Sequence, residues 1–215
     1  MRGITIIFNN KRVHTGINLD LVQEVKEIGK PTIQTFTAEI PGRDGLLNLT
    51  RSLTGKVNYY NRPLSFQYFG TGTRKELLEL DAYFSSFHGH TIQIIDDDYP
   101  DHYYEGEASI TTSLNRNYIT IVLEIDAQPF RLKLSPTTYT REINGETTVY
   151  LNNENIEAIP IITTTGEIEI VFNGVTTHLS AGTYTIENFV LQSGVNTVKI
   201  SGTATVTIRY QEGAI

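Results

Sequence analysis

The sequence predicts a mainly β protein of two domains, an N-terminal α+β domain followed by a C-terminal β-sandwich. Three observations predict this fold class. Apolar and polar residues alternate along most of the chain, a helical period stands out in one segment, and the composition changes near residue 130. Tyr (12) and Phe (9) supply the aromatic bulk because Trp is absent, and both residue types favour strands. We therefore assign residues 1–130 to the N-terminal domain and residues 131–215 to the C-terminal domain.

The first part of the N-terminal domain is predicted to consist of strands and loops. Residues 3–40 contain an alternating run that ends with Phe36 and Ile40 on one face. Pro-Gly and Asp-Gly dipeptides predict a loop at 41–55. Renewed alternation then predicts a hairpin at 57–69.

One long helix is predicted at about 74–88. Thr73 and Glu76 have the spacing of a capping box, and Gly89 is a natural helix stop. Between them, apolar residues recur at helical spacing: Leu77, Leu80, Phe84 and Phe87. Because this apolar stripe must lie on a sheet, the N-terminal domain is predicted to be α+β.

Strands resume after the helix. A strand is predicted at 91–95, a polar loop at 96–101, and an antiparallel pair at 107–114 and 117–127. Four apolar residues share one face of the last strand: Ile119, Ile121, Leu123 and Ile125.

The C-terminal domain differs in composition. Residues 131–215 contain no aspartate and many threonines, and Asn173-Gly174 is the strongest short hairpin signal. Eight short strands are predicted, at 147–151, 159–163, 167–172, 175–179, 183–186, 188–192, 195–200 and 204–210. Many short strands at close spacing are typical of a sandwich.

The charge distribution argues against tight binding of nucleic acid. The net charge is −7, with 12 basic against 16 acidic residues in 1–130 and 5 against 8 in 131–215. Affinity for DNA or RNA comes mostly from the neutralisation of phosphates, and no basic stripe is visible to supply it. Passage of DNA through a channel that does not bind it remains compatible with this charge.

The absence of cysteine excludes disulfide bonds and thiolate catalysis. The apolar patch near the N-terminus is too short for a signal-peptide core, and no run approaches the roughly 18 apolar residues of a membrane span. We therefore expect a protein folded in a cytosol, without a membrane partner.

One cluster contains potential metal ligands: His88, His90 and His102, with Asp96, Asp97, Asp98 and Asp101 between them. Its spacing fits neither a zinc motif nor a calcium loop. We interpret it as a structural loop, and we predict no metal site.

Two carboxylate pairs, Glu105 with Glu107 and Glu167 with Glu169, could in principle serve a glycosidase. Each pair shares the face of a strand that is expected to be exposed. No serine lies in a nucleophile elbow, and no glycine-rich phosphate loop precedes a helix. We predict no catalytic residues, no cofactor-binding residues and no enzyme activity.

Tyrosine side chains could pack in sheets, anchor a protein interface or stack on sugars. In the C-terminal domain, His178 and Tyr184 are the nearest approach to a sugar site. An alternative function is therefore an adhesin, similar to a carbohydrate-binding module, that recognises host surface glycans.

Five segments occur in an order that resembles the distal tail protein family, called Dit, of phages with long non-contractile tails. Ile40–Leu49 resembles the family's IPGRDGxLDL loop, and Phe87–His90 resembles the exit of its helix. The other segments are the polar passage 96–106, the interdomain link 127–131 and the last strands 194–213. Together they span nearly the whole chain.

The resemblance implies a homohexameric ring. The N-terminal domains would form the ring around a channel for DNA, and a galectin-like C-terminal sandwich would lie at the periphery. Asn48 stands where the family often has aspartate, and His90 where lysine is common. Neither departure touches a catalytic role, because the family has none.

The implied function is that of a structural tail-tip protein of a phage or prophage, a baseplate hub and virion component. Its partners would be further copies of itself, the tail tube protein, and a tail-associated lysin or fibre-hub protein, with DNA only in passage. It would assemble in the cytoplasm of the bacterial host and end in the virion tail. Subunit contacts are expected at the residues of the family-motif loop: Pro41, Gly42, Arg43, Asp44 and Gly45.

Overall fold

Antiparallel strands dominate this chain, which a computed structural model describes at residues 4–9, 11–12, 22–42 and 44–215. The chain divides into two units. The N-terminal unit runs through Arg131 and includes Ile215, and the C-terminal unit is Leu132–Ala214. The predicted fold class, mainly β with an N-terminal α+β part, is confirmed. None of the described helices is long and apolar enough to cross a membrane.

The N-terminal unit is built on one antiparallel sheet with the strand order β2-β1-β7-β8-β9-β6-β3. Its strands are β1 (Ile4–Phe8), β2 (Lys11–Arg12), β3 (Val22–Ile28), β6 (Arg62–Thr71), β7 (Thr91–Asp96), β8 (His102–Asn115) and β9 (Tyr118–Ala127). A separate pair is formed by β4 (Thr37–Ala38) and β5 (Leu47–Asn48). The helices are α1 (Thr50–Thr54) and α2 (Arg74–Ser85).

Two sequence predictions in this unit are wrong. The predicted loop at 41–55 contains β5 and α1. The predicted hairpin at 57–69 does not form, because β6 pairs with β3 and β9 instead, while Tyr59 bridges Ile33. Local alternation signalled strands there but could not identify their partners.

Helix α2 is a local structure that the sequence encodes directly. The Thr73 hydroxyl accepts from the Glu76 N–H, and the Glu76 carboxylate accepts from the Thr73 N–H at 2.9 Å, which completes the predicted capping box. The helix ends at Ser85, three residues before the predicted end, because the next bonds are tighter i→i+3 turns such as His88 N–H to Ser85 O. Gly89 then takes a φ of +73°.

The core of this unit lies between α2 and one face of the sheet. Leu77, Leu80 and Phe84 of the helix are fully buried. They pack with alternate residues of the strands, among them Leu64, Phe66, Tyr68, Ile119, Ile121, Leu123 and Ile125. The predicted common face of β9 is therefore confirmed.

The C-terminal unit is a single sheet with the order β14-β13-β16-β12-β15, with β11 paired along β16. Its strands are β11 (Thr137–Asn153), β12 (Ile161–Thr164), β13 (Ile168–Phe172), β14 (Val175–Leu179), β15 (Gly182–Thr185) and β16 (Gly194–Tyr210). Two short strands, β10 (Arg131–Lys133) and β17 (Gly213–Ala214), pair with each other outside this sheet. The predicted strands at 195–200 and 204–210 are one strand, β16. The predicted strand at 188–192 is wrong, since this stretch contributes one bridge, between Leu191 and Ala158.

A bent ribbon makes this sheet into a sandwich. Strands β11 and β16 pair over 17 residues, with Gly145 directly opposite Gly202. Strand β13 joins the 198–202 stretch of β16, and β12 joins the 206–209 stretch. Every second residue of β16 is buried both before and after Gly202, and residues from both stretches enter one core. The two halves of the ribbon therefore enclose a common core from opposite sides.

Gly202 is required by both conformation and space. Its φ is +137°, and a Cβ atom there would lie 2.6 Å from the carbonyl oxygen of Glu167. Any side chain would push β13 away from the ribbon, which explains why glycine stands at the bend.

Candidate functional site

Residues 29–63 form an extended segment, the hairpin arm, that leaves the N-terminal sheet after β3 and returns into β6. Backbone hydrogen bonds of 2.8–3.0 Å join its two halves: Gly29 N–H to Pro63 O, Tyr60 N–H to Thr32 O, Gln34 N–H to Asn58 O and Leu49 N–H to Phe36 O. The arm is therefore held by its own backbone pairing.

Thr50 is the polar anchor inside the arm. Its hydroxyl accepts from the Phe36 N–H at 3.0 Å, and its own N–H donates to Asn48 Oδ1 at 3.0 Å. Thr50 is only 6% exposed. An aspartate at position 48 could accept the same bond, so the departure of Asn48 from the family pattern preserves the local geometry.

The family-motif loop lies at the tip of the hairpin arm. Pro41, Gly42, Asp44 and Gly45 are exposed there, and Arg43 lies outside the described residues. Gly42 and Gly45 have φ values of +81° and +77°. Apart from the adjoining residues, no described atom lies within 4 Å of the position that a Cβ would occupy at either glycine. These glycines are needed for conformation alone, so the surface around them is open.

Large apolar side chains of the hairpin arm face solvent. Their exposed fractions are 46% for Ile33, 42% for Phe36, 38% for Ile40, 63% for Leu46 and 59% for Tyr60. None of the described residues between 29 and 61 belongs to the core cluster of the unit. Apolar side chains concentrated in one segment outside the core are a mark of an interaction surface.

The histidines and aspartates considered as metal ligands have separate structural contacts. His88 Nδ1 accepts from the Ile110 N–H at 3.1 Å, and the His90 ring lies 5.5 Å from that of Phe8. Asp96 is buried and pairs with Lys26. Across the described ranges, no three potential ligands come together as a metal-binding group.

The two carboxylate pairs lie on open sheet faces. Glu105 accepts from Gln93 Nε2 at 2.8 Å, and Glu107 is exposed beside it on β8. Glu169 lies 3.5 Å from His178 Nδ1, and both of these side chains are exposed. Neither pair is enclosed by a pocket that would exclude water, a common requirement of carboxylate catalysis.

The two residues considered for a sugar site have different surroundings. His178 is on β14 and its side chain is exposed, whereas Tyr184 is a half-buried residue of β15. Tyr184 packs against the core and lies over Gly182. The Tyr184 ring is therefore part of the packing of its unit and is not an exposed platform for a sugar.

Sequence reasoning missed a charged cavity in the N-terminal unit. It brings together Lys26, Arg62, Asp96 and Arg131, which are separated by at least 30 residues in the chain. No local pattern links these positions, so pairing of distant strands was the only signal that could have revealed it.

The fold is similar to that of the Dit protein of phage SPP1, a protein presented as a paradigm of the hub adsorption apparatus in phages that infect Gram-positive bacteria. The TM-score is 0.61, the match covers 99% of each chain, and 14% of the residues are identical. At this identity the likeness establishes a Dit-like fold.

A de novo designed double-stranded β-helix matches 37% of this chain and 97% of its own length, with 20% identity and a TM-score of 0.25, which is too low to bear on fold or function. No protein-family model and no curated protein sequence matches the chain.

Proposed function

We propose that this chain is a distal tail protein of the Dit family, a structural hub at the tip of a phage or prophage tail. The observation that carries the proposal is the Dit-like fold along 99% of the chain, which includes both units. The order of the five sequence segments, from Ile40–Leu49 to 194–213, supports it independently. Fold alone does not determine function. The proposed role in a tail therefore depends also on the five sequence segments and on the exposed hairpin arm.

In this role, six copies form a closed ring. The N-terminal domains surround a channel for DNA, and the C-terminal sandwiches lie at the periphery. The ring connects the tail tube protein to the adsorption apparatus through a tail-associated lysin or fibre-hub protein. It assembles in the cytoplasm of the host and becomes part of the virion tail. A mildly acidic N-terminal domain suits this channel, because basic walls would hold phosphates.

The hairpin arm is the proposed contact between neighbouring copies. A closed ring needs a heterologous interface, in which two different surfaces of the same chain meet. The exposed apolar side chains Phe36, Ile40 and Leu46 offer one such surface. Gly42 and Gly45 shape the tip so that Pro41 and Asp44 can approach the next copy closely.

We favour this structural role over glycan recognition and catalysis. The Tyr184 ring packs against the core of its unit, so a sugar site lacks the exposed aromatic platform that it needs. The carboxylate pairs lie on open faces, where nothing excludes water from a reacting group.

The mass of the purified protein tests the proposal. Light scattering should report six times the 24.1 kDa of one chain, and negative-stain images should show rings. If the free protein is monomeric, rings should appear on mixing with the tail tube protein. A protein that stays monomeric alone and with that partner would contradict the proposal.

A further inference from the structure

A cavity of about 420 Å³ within the N-terminal unit concentrates positive charge. Four cationic side chains line it, those of Lys26, Lys30, Arg62 and Arg131, against two carboxylate side chains, those of Asp96 and Asp98, and Ile215, the last residue, lies there too. The whole chain carries a net charge of −7. A local excess of cations in an acidic protein marks a place where an anion would be stabilised.

Arg62 is fixed in this cavity without being neutralised. It is 4% exposed, and it donates from Nε to Gly29 O at 2.8 Å and from Nη1 to Pro129 O at 3.3 Å. Both acceptors are neutral carbonyl groups. Its guanidinium lies 5.1 Å from the centre of the Tyr104 ring. Burial lowers the pKa of Arg62, and the positive charge of Arg131 lowers it further.

Arg131 supplies the second guanidinium. It lies 3.9 Å over the ring of Tyr99. Its Nε is buried and has no hydrogen-bond partner among the described residues. An unsatisfied buried donor on a charged group is costly, and a ligand oxygen would satisfy it.

The two carboxylates of the cavity pair with Lys26, which also lines it, but one acceptor is left. Lys26 pairs with both Asp96 and Asp98, so neither carboxylate forms an ion pair with an arginine in the described part of the chain. Asp96 Oδ2 is buried and has no hydrogen-bond partner there. Two residues that line the cavity therefore carry buried unpaired atoms, a donor on Arg131 and an acceptor on Asp96.

We propose that this cavity binds a phosphate group that keeps one proton, either inorganic phosphate or a phosphomonoester. Phosphate oxygens accept from Arg131 and are held by the charge of Arg62, since a guanidinium matches an oxyanion geometrically. The remaining P–OH donates to Asp96 Oδ2. Sulfate has no proton at neutral pH, so its oxygen would meet the Asp96 carboxylate as a like charge.

The comparison of phosphate with sulfate tests the site. Both anions strengthen burial of apolar surface generally, so at equal ionic strength their non-specific effects cancel. At saturating concentration, phosphate should raise the Tm of the N-terminal unit on the order of 5 °C more than sulfate does. Equal shifts in phosphate and sulfate would overturn the proposal.

Variants locate the effect. Arg131→Met should abolish the difference between phosphate and sulfate, whereas Arg209→Met, which removes an exposed charge from β16, should keep it. A difference that survives Arg131→Met would overturn the site. Glycerol 2-phosphate separates the two sources when it is tested at about pH 5.5, because a phosphomonoester loses its last proton near pH 6. A response to it supports a phosphomonoester, and a response to inorganic phosphate alone supports the free ion. The site uses one unit of one chain, so it stands or falls independently of ring formation.

Discussion

The two units of this chain expose apolar side chains in different settings. In the C-terminal unit, Tyr150 is 65% exposed on β11, but it lies between the buried Val149 and Leu151. Its exposure follows from the alternation of a strand. In the hairpin arm, Phe36 and Leu46 are exposed in a segment whose described residues add nothing to the core. The first setting needs no partner, whereas the second fits the proposed contact with another copy.

The glycines of the two units repeat this contrast. Gly202 is enclosed by β13, while Gly42 has open space around it. A side chain at the first position collides inside its own unit. A side chain at the second would change only what the surface presents to another molecule. Four predictions test what stabilises each unit and what the hairpin arm contributes, beginning with the largest effect.

Gly202→Val should lower the stability of the C-terminal unit by about 3 kcal/mol or more, because the new Cβ meets the Glu167 carbonyl and the backbone is strained at positive φ. Urea denaturation measures the loss. Gly174→Ala is the matched control, since its φ is +80° and no described atom beyond its chain neighbours lies within 4 Å of the Cβ position; it should cost about 1 kcal/mol. Equal losses for both variants would contradict the crowding at the bend.

Leu46→Asp should weaken self-association by about tenfold or more, because it adds a charge to the proposed contact. Analytical ultracentrifugation measures the change. The Tm of the dissociated chain should stay the same, since Leu46 is 63% exposed. Val175→Asp, at a 56% exposed position on β14, is the control and should leave association intact. A lower Tm with unchanged association would place Leu46 in the fold and not in a contact.

Thr73→Ala should destabilise the N-terminal unit by about 1 kcal/mol, because it removes the cap of α2. Thermal unfolding followed by circular dichroism measures the loss. Thr176→Ala, at an exposed strand position of the other unit, should change little. A loss of stability in Thr176→Ala but not in Thr73→Ala would contradict the role of Thr73 as the cap of α2.

Glu212 should make the C-terminal unit sensitive to acid. Burial raises the pKa of Glu212, but hydrogen bonds from Lys133 and Thr137 outweigh it and hold the pKa below 4.5. A depressed pKa in the folded state stabilises the unit above pH 4.5, and that contribution is lost as the pH falls through the folded pKa. Unfolding measured between pH 6 and pH 3 should show this loss, and Glu212→Gln should flatten it. If the stability of Glu212→Gln falls with pH as that of the unmodified protein does, Glu212 is not the source of the acid sensitivity.

Local features were the predictable ones. The capping box and apolar stripe of α2 lie within 15 residues, and the Asn173-Gly174 turn joins β13 and β14 with φ values of +50° and +80°. Each is encoded by neighbours in sequence. The strand predicted at 188–192 is wrong because Phe189 and Leu191 alternate for another reason. Both side chains are buried in the core, but the backbone around them forms a turn and not an extended strand.

Long-range pairing was not predictable. The first residues of β11, from Thr137, are mostly exposed or half-buried. Its partner strand β16 begins 41 residues after β11 ends. Gly202 separates the two predicted strands 195–200 and 204–210, although in the structure it allows the single strand β16 to bend. For the candidate site, the tip residues Pro41, Gly42, Asp44 and Gly45 came from the motif, whereas Arg62 and Arg131 meet only through the sheet.

Strand β16 is the common partner of β11, β12 and β13. During synthesis, the ribosome releases those three strands before it releases β16. Until then, the β13–β14 hairpin can close but has nothing to join, and the nascent strands carry open edges. The sheet of the C-terminal unit therefore cannot be completed before β16 is released, and until then the partly synthesised chain is exposed to aggregation.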